Sequence, residues 1–404
     1  LEHIEYTPAP DIIHESSGHA PIIGEPDYAT YLQYFGEVGT KALSSGKDFE
    51  LYETIRQLSI LKEMPNVDKE DLAKAEALVS YNQQNLGTPS EMALLSRLQW
   101  WSVEYGLIGD INNPKIYGAG LLSSIGESAS CMQPEVKKIT YTIDALKVGY
   151  DITKEQPQLF VTPTFQNLID VLTQFESTMA YRVGGLESVL KAIECKNICT
   201  AVFSSGLQVS GVFSKVYTDA HDAIKYINTV GPSSLAFKDQ LLQGHDTNYH
   251  ADGFGSPVGK LKDATKSLED YTAADLLSAG IITDHVIALN FENGILVEGK
   301  LVSQTFMDNK LVLLSFADCK VTDKAGQVFF EPAWGMFDMA IGDTIVSVFN
   351  GSADKNALED QLYVSEQPTH QPNYTAKDLQ YQSLFKQIRN YREEGKSDDS
   401  LNQI

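Results

Sequence analysis

Tyr6-Thr7-Pro8-Ala9-Pro10-Asp11-Ile12-Ile13-His14-Glu15-Ser16-Ser17-Gly18-His19-Ala20-Pro21 sets two imidazoles five residues apart near the start of a 404-residue chain. The spacing is one residue longer than in the HExxH helix of zinc peptidases, whose histidines at i and i+4 share a face. At i and i+5 on a continuous α-helix of 3.6 residues per turn, the two side chains diverge by about 140°. One cation takes both only if the helix ends between them. Gly18 is best suited to end it, because glycine accepts the left-handed conformation of a helix C-terminus. Asp11 or the Pro8-Ala9-Pro10 lead-in would start that short helix, and Pro21 would prevent its resumption. From spacing alone, two ordinary core or surface histidines are the default.

Two imidazoles and one carboxylate make the facial set that leaves coordination positions open on a non-haem Fe(II). By local setting, Glu104 is the best candidate for the carboxylate, in Trp100-Trp101-Ser102-Val103-Glu104-Tyr105-Gly106-Leu107. An ionised carboxylate on so apolar a helix face is costly to bury unless it is paired or ligating. A Glu104 that simply faces water is the default from spacing alone.

The stretch from Tyr6 to Pro21 resembles the iron-binding signature of the pterin-dependent aromatic amino acid hydroxylases, the family of phenylalanine, tyrosine and tryptophan hydroxylases. Trp100 to Leu107 is similar to the family's carboxylate-ligand block, and Tyr117-Gly118-Ala119-Gly120-Leu121-Leu122-Ser123-Ser124-Ile125-Gly126-Glu127 to its substrate-pocket block. The resemblance runs from about His3 to Phe175. It implies a non-haem Fe(II) held by His14, His19 and Glu104. It also implies insertion of one oxygen atom of O2 into the ring of an aromatic amino acid, with two electrons from a tetrahydropterin. Thr7, Pro10, Trp100, Gly120 and Ser123 would line the substrate pocket, Glu15 would reach the pterin, and Glu15, Trp100 and Ser123 would serve catalysis. Phenylalanine to tyrosine, in a bacterium, is the reaction the resemblance implies first; tyrosine and tryptophan stay open as substrates. Local structure accounts for the same residues otherwise, with Pro10 at a helix entry, Ser123 in a turn or cap and Trp100 in a core. The rivals from other classes are a non-catalytic or regulatory protein that keeps the fold and, with less support, a zinc hydrolase.

Departures from the family pattern stand beside the agreements. The interval between His19 and Glu104 is longer than usual, and the surplus, about Gly46 to Thr88, reads as a helical surface insertion. Ala9 replaces an acidic residue, Gln99 an aromatic one and Phe160 a tyrosine near the active-site mouth. The family's pterin-stacking aromatic and substrate-clamping arginine would precede Leu1, so the natural protein is expected to begin upstream.

Outward from these blocks, hydrophobic periodicity divides the chain. A length of 404 residues suggests two or three domains of ~150 residues. Helical spacing recurs from Asp27 to about Ser45, in two or three helices from Asp48 to Leu98, and in an aromatic helix from Glu91 to Leu107 with Ser90 as N-cap and Gly106 as stop. Two-residue periodicity follows at Thr140–Ile143 and Gln158–Val161, then a helix from Thr164 to Met179. Beyond Cys195, β-branched runs at 200–203, 294–299, 310–316, 327–330 and 344–349 are punctuated by Gly, Asn and Asp, as in an antiparallel sheet or barrel. Thr375 to Arg392 returns to helix. The expected fold is a mainly α, hydroxylase-like catalytic domain over 1–195, then a β-rich domain over 196–370 that serves assembly or shielding, then a terminal helix and tail over 371–404. The apolar stripe of that helix is too short for a long coiled coil, so any homo-oligomer contact it makes would be a packed helix pair.

Charge and cysteine content narrow the partners. With 31 Lys plus Arg against 54 Asp plus Glu, the formal charge of -23 repels nucleic-acid phosphates and anionic lipid headgroups. No apolar run is long enough to span a bilayer, and Leu1-Glu2-His3-Ile4-Glu5 has no signal-peptide character. Four scattered cysteines make no disulfide framework, which fits a reducing cytoplasm; Cys195 and Cys199 lack the further ligands of a zinc set. A second histidine pair at five-residue spacing, in Gly244-His245-Asp246-Thr247-Asn248-Tyr249-His250-Ala251-Asp252-Gly253-Phe254-Gly255, reads as a glycine-rich loop in preference to a second metal site.

Overall fold

Caps and apolar stripes place the longer helices from Pro26 to Gln99 close to where the sequence puts them, with an informative exception. A computed structural model describes residues 12, 14–63, 67–150, 155–356 and 375–393; Thr7, Ala9 and Pro10 lie outside them. Pro26–Gly39 opens with proline in its first turn and buries Tyr28, Tyr31 and Val38. Gly46–Glu63 and Lys69–Gln84 pack on each other, the second capped by Asp68. Ser90 caps Glu91–Gln99 by accepting from Ala93 N at 3.0 Å. The exception lies at the end of that helix. The expected aromatic helix to Leu107 instead becomes a π-helical turn, Trp100–Glu104, with Tyr105 N donating to Trp100 O at 2.9 Å.

Glu104 is then aimed by the strand that starts just after it. Leu107–Asp110 pairs antiparallel with Asn113–Ile116 and parallel with Gln158–Thr162, which pairs parallel with Lys137–Thr140. Helix Phe165–Glu176, capped by Thr164, closes over this four-stranded sheet and the helix Pro26–Gly39. Phe160 is part of the core between them, packed on Trp101 and Tyr141, so it does not stand at the mouth of the cleft. Glu91 stitches the periphery: its buried carboxylate accepts from Ala180 N at 2.8 Å, Lys191 Nζ at 2.9 Å and Leu43 N at 3.2 Å.

From Ile198 to Asn350 the strands form two antiparallel sheets. The first orders Ile345–Asn350, Ile198–Phe203, Leu207–Thr218, Ile224–Phe237 and Gln240–Leu241, with Gly255–Pro257 also on Ile224–Phe237. The second orders Val286–Asn290, Ile295–Met307, Lys310–Asp323 and Val328–Phe330, with Phe337–Ala340 also on Lys310–Asp323. Lys238-Asp239 and Asp308-Asn309 both hold positive φ, the two-residue turn that matches strand twist. Helix Gly185–Cys195 packs on the first sheet, and Leu43 joins the same core, so helical and β-rich parts interlock across the position of Cys195. The described residues up to 356 belong to one compact unit, and the helix Ala376–Glu393 to another. Among the described residues, no helix is long and apolar enough to cross a membrane.

Candidate metal centre

His14 and His19 converge because the helix between them widens instead of ending. Residues Glu15–His19 form a π-helical turn in which Ala20 N donates to Glu15 O, so hydrogen bonds close over five residues. A five-residue histidine spacing that splays on an α-helix closes on this turn. The helix resumes directly as Ala20–Ile23, with Pro21 in its first turn, a position that can donate no hydrogen bond back into the π turn. Gly18 therefore does not stop a helix, and its φ is not positive. Its role is close approach: a Cβ there would lie 2.6 Å from Ala119 O, so only glycine lets the turn rest on the segment Ala119–Ser123.

The three predicted ligands meet. His14 Nε2 lies 3.1 Å from His19 Nε2 and 3.4 Å from Glu104 Oε2, and His19 Nε2 lies 3.5 Å from Glu104 Oε1. Metal–ligand bonds of about 2.0–2.2 Å in tetrahedral geometry set ligand atoms roughly 3.4 Å apart. All three side chains are mostly shielded, at 30%, 22% and 19% exposure for His14, His19 and Glu104. Ser123 fixes the tautomer of His14. Its Oγ gives its one proton to Ala119 O at 2.8 Å and lies 2.8 Å from His14 Nδ1, so Nδ1 must donate to it. Nε2 of His14 then carries its lone pair toward His19 Nε2 and the Glu104 carboxylate, an arrangement that suits a cation.

A cleft of about 510 Å³ opens beside this set, lined by His14, Glu104, Trp100, Gly120, Ser123 and also Ser96, Gln99, Tyr105 and Tyr150. Trp100 is stacked between Tyr105, with centroids 4.6 Å apart, and Tyr150, at 4.4 Å and 11° between planes. Its indole Nε1 is buried and has no hydrogen-bond partner. Gly120 keeps the wall thin, since a Cβ would meet the Tyr105 ring at 3.0 Å and Glu104 O at 3.1 Å. Burial, with the charge and hydrogen bond of Glu127 and then the charge of Glu104, pushes the Tyr105 hydroxyl well up. Burial, Tyr31 and Glu104 do the same to Tyr28. The phenols around the cleft therefore stay neutral at ordinary pH.

Glu15 sits at the start of the π turn with its side chain exposed and is not among the residues lining the cleft. Sequence reasoning passed over Tyr105 and Tyr150. Tyr105 stood inside the quoted carboxylate block, so its signal was present; Tyr150 arrives from a loop 46 positions beyond Glu104 and had none.

Residues 59–184 match the family described as biopterin-dependent aromatic amino acid hydroxylase, a span that holds Trp100, Glu104, Gly120 and Ser123 and begins after both histidines. The phenylalanine-4-hydroxylase of Dictyostelium discoideum is 28% identical over 171 residues, 42% of this chain and 29% of that protein. Phenylalanine-4-hydroxylase of Vibrio cholerae serotype O1 is 27% identical over 169 residues, 41% of this chain and 43% of that protein. The chain thus spans less than half the length of these two relatives. A solved phenylalanine hydroxylase from Legionella pneumophila aligns at 34% identity over 26% of this chain and 47% of its own, with a TM-score of 0.20. By the profile match and these relatives together, the part of the chain that carries Glu104 and its cleft is similar to the biopterin-dependent aromatic amino acid hydroxylases.

Proposed function

We propose that the chain hydroxylates the ring of an aromatic amino acid, phenylalanine to tyrosine first among the candidates, with O2, a tetrahydropterin and a non-haem Fe(II) held by His14, His19 and Glu104. The observation that carries the reading is the convergence of these three donors at 3.1–3.5 Å, with the His14 tautomer set by Ser123. The donor set fits the ion: two neutral imidazoles and one carboxylate leave a divalent cation with residual positive charge and open positions. Fe(II) and a tetrahydropterin, when bound, supply the O2 activation and the electrons that side chains cannot.

The residues present do the rest. Trp100, covered on both faces by Tyr105 and Tyr150, has only its edge left for an aromatic ring at the mouth of the ligand set, an edge-to-face contact. Gly120 leaves room beside it, and Ser123 keeps the His14 ring from turning. Glu15, exposed one residue beyond His14 and outside the lining of the cleft, is the residue assigned to the pterin in this reading. A zinc hydrolase finds less support, because a general base beside the ligands is missing from the described lining of the cleft.

Oxygen consumption with each aromatic amino acid and a tetrahydropterin, with the product read by mass, tests the reading. Turnover with phenylalanine that needs iron and pterin, and is lost with iron in His14→Ala, is expected. Stoichiometric iron retained by His14→Ala, or zinc-dependent ester or peptide hydrolysis in place of hydroxylation, would overturn it.

A further inference from the structure

The glycine-rich stretch Gly244–Gly255 is a loop, as its composition suggests, yet its two histidines meet. His245 Nδ1 and His250 Nε2 lie 3.2 Å apart, and a carboxylate oxygen of Asp338 lies within 4.8 Å of both. Backbone pairing holds the loop in place. Leu235 N donates to His245 O and Ser233 N to His250 O, each at 3.0 Å, so the strand Ile224–Phe237 grips both histidines. The register of that strand slips at Gly231-Pro232, where the ladder to Leu207–Thr218 skips from Val230 to Ser234. This bulge leaves the Ser233 N–H free of the ladder to bond the loop. Asp246 Oδ1 accepts from Asn248 N at 3.0 Å and Tyr249 N at 2.9 Å, which tightens the turn between the histidines.

Asp338 comes from the other sheet. It lies on Phe337–Ala340 opposite Ser315, whose hydroxyl donates to its Oδ1 at 2.5 Å. Oδ2 has no hydrogen-bond partner, although Asp338 is only 5% exposed and His250 only 8%. The Tyr249 hydroxyl approaches this carboxylate, and an ionised carboxylate in so buried a place costs several kcal/mol unless a proton or a cation also meets it. A cleft of about 630 Å³ reaches the same group between Tyr226, Tyr249, Phe329 and Trp334. The Tyr226 hydroxyl facing that cleft is likewise buried without a partner.

The geometry points to a second metal centre, in the β-rich part of the chain, in which His245, His250 and Asp338 bind one divalent first-row transition cation. Two imidazole nitrogens 3.2 Å apart match the spacing that bonds of about 2.0–2.2 Å impose, a carboxylate oxygen of Asp338 lies within 4.8 Å of both, and imidazole with carboxylate suits Zn(II) or Fe(II) over Mg(II) or Ca(II). The ion would tie the loop of one sheet to a strand of the other, and its remaining positions would face the aromatic-walled cleft. None of its ligands belongs to the set of His14, His19 and Glu104, so the inference stands apart from the proposed hydroxylation.

The test isolates the second set. Full-length protein carrying His14→Ala and His19→Ala, stripped with chelator, is titrated with Co(II) alone and then with Zn(II) in competition. One equivalent of Co(II) with a visible ligand-field band, displaced by one equivalent of Zn(II), is expected. Adding His245→Ala or, separately, Asp338→Asn should then weaken Zn(II) binding by about 100-fold or more. His245 is partly exposed on a loop, so its variant remains folded even where the buried Asp338→Asn does not, as far-ultraviolet circular dichroism will show. Absence of any Co(II) or Zn(II) binding by the double variant, or one equivalent that survives His245→Ala unchanged, would overturn the assignment.

Discussion

Gly18→Ala asks whether the candidate metal centre of His14, His19 and Glu104 depends on how closely its two backbone segments approach. An added Cβ would sit 2.6 Å from Ala119 O and 3.1 Å from Ala119 C and Cα, all backbone atoms that cannot swing aside as a side-chain tip would. Either the π turn Glu15–His19 or the segment Ala119–Ser123 must move, and that segment carries the hydroxyl that fixes His14. Overpacking of this kind costs about 1–3 kcal/mol. Gly36→Ala provides the reference, because Gly36 lies within the helix Pro26–Gly39 with nothing inside 4 Å of its would-be Cβ. There the loss of glycine's chain entropy should stabilise by about 0.5–1 kcal/mol. The helix-propensity gain is common to both variants, so urea unfolding should separate them by about the clash alone, roughly 1–3 kcal/mol. Displacing Ser123 also frees the His14 ring, and losing such an outer partner typically lowers metal affinity about 10–100-fold, which anaerobic Fe(II) titration reads. If Gly18→Ala tracks Gly36→Ala in both stability and iron affinity, the close approach is not what builds the site.

Glu91→Gln should lower stability by about 1–3 kcal/mol, because the amide nitrogen would face one of the three donors the carboxylate now satisfies; an unchanged urea midpoint would refute that role. Glu176 has its pKa lowered: burial works against this, but hydrogen bonds from Tyr181, Tyr34 and Arg182 outweigh it. Its contribution to stability is therefore full above its unfolded pKa of about 4.3 and is lost as pH falls through the lower folded value. Glu176→Gln should flatten the pH dependence of stability below about pH 4.3, and an unaltered slope there would count against it. Replacing residues 46–87 by a short linker should leave iron binding intact. Ser45 and Thr88 line one cavity, and the two excised helices pack chiefly on each other while exposing Phe49, Tyr52 and Tyr81. Loss of iron from a still-folded deletion would show that the pair supports the site.

What the sequence disclosed, and what it concealed, follows from the range of the forces involved. Ser90, Thr164 and Asp68 cap helices as single residues acting on the next turn, so those starts could be read locally. Val328–Phe330 and Ile345–Asn350 carry β-branched or aromatic residues between turn signals and were equally legible. The hairpin Leu207–Thr218 with Ile224–Phe237 was not, although it is the longest in the first sheet. Gly211 and the Gly231-Pro232 pair interrupt its pattern, and a bulge makes proline tolerable inside a strand only through pairing across the sheet. Phe337–Ala340 and its Asp338 failed for a similar reason, since four residues give too little periodicity and the meaning of that aspartate lies in a loop nearly ninety positions earlier.

The two histidine pairs show the same limit within one motif. Both are spaced by five residues, and on an ideal α-helix both would diverge by about 140°. His14 and His19 come together because five-residue hydrogen bonding lets the helix continue past Gly18, and Gly18 is spared a side chain by its contact with Ala119. His245 and His250 come together with no helix at all, because Ser233 and Leu235 hold their carbonyls along one strand. Each pair then meets a carboxylate supplied from a distant element, Glu104 after its own π turn and Asp338 on the opposing sheet. Spacing in the sequence bounds which side chains can share an ion, but the backbone hydrogen bonds around them decide whether they do. It follows that a five-residue histidine pair should be judged by what grips its carbonyls and what packs on the residue between, not by its distance from HExxH.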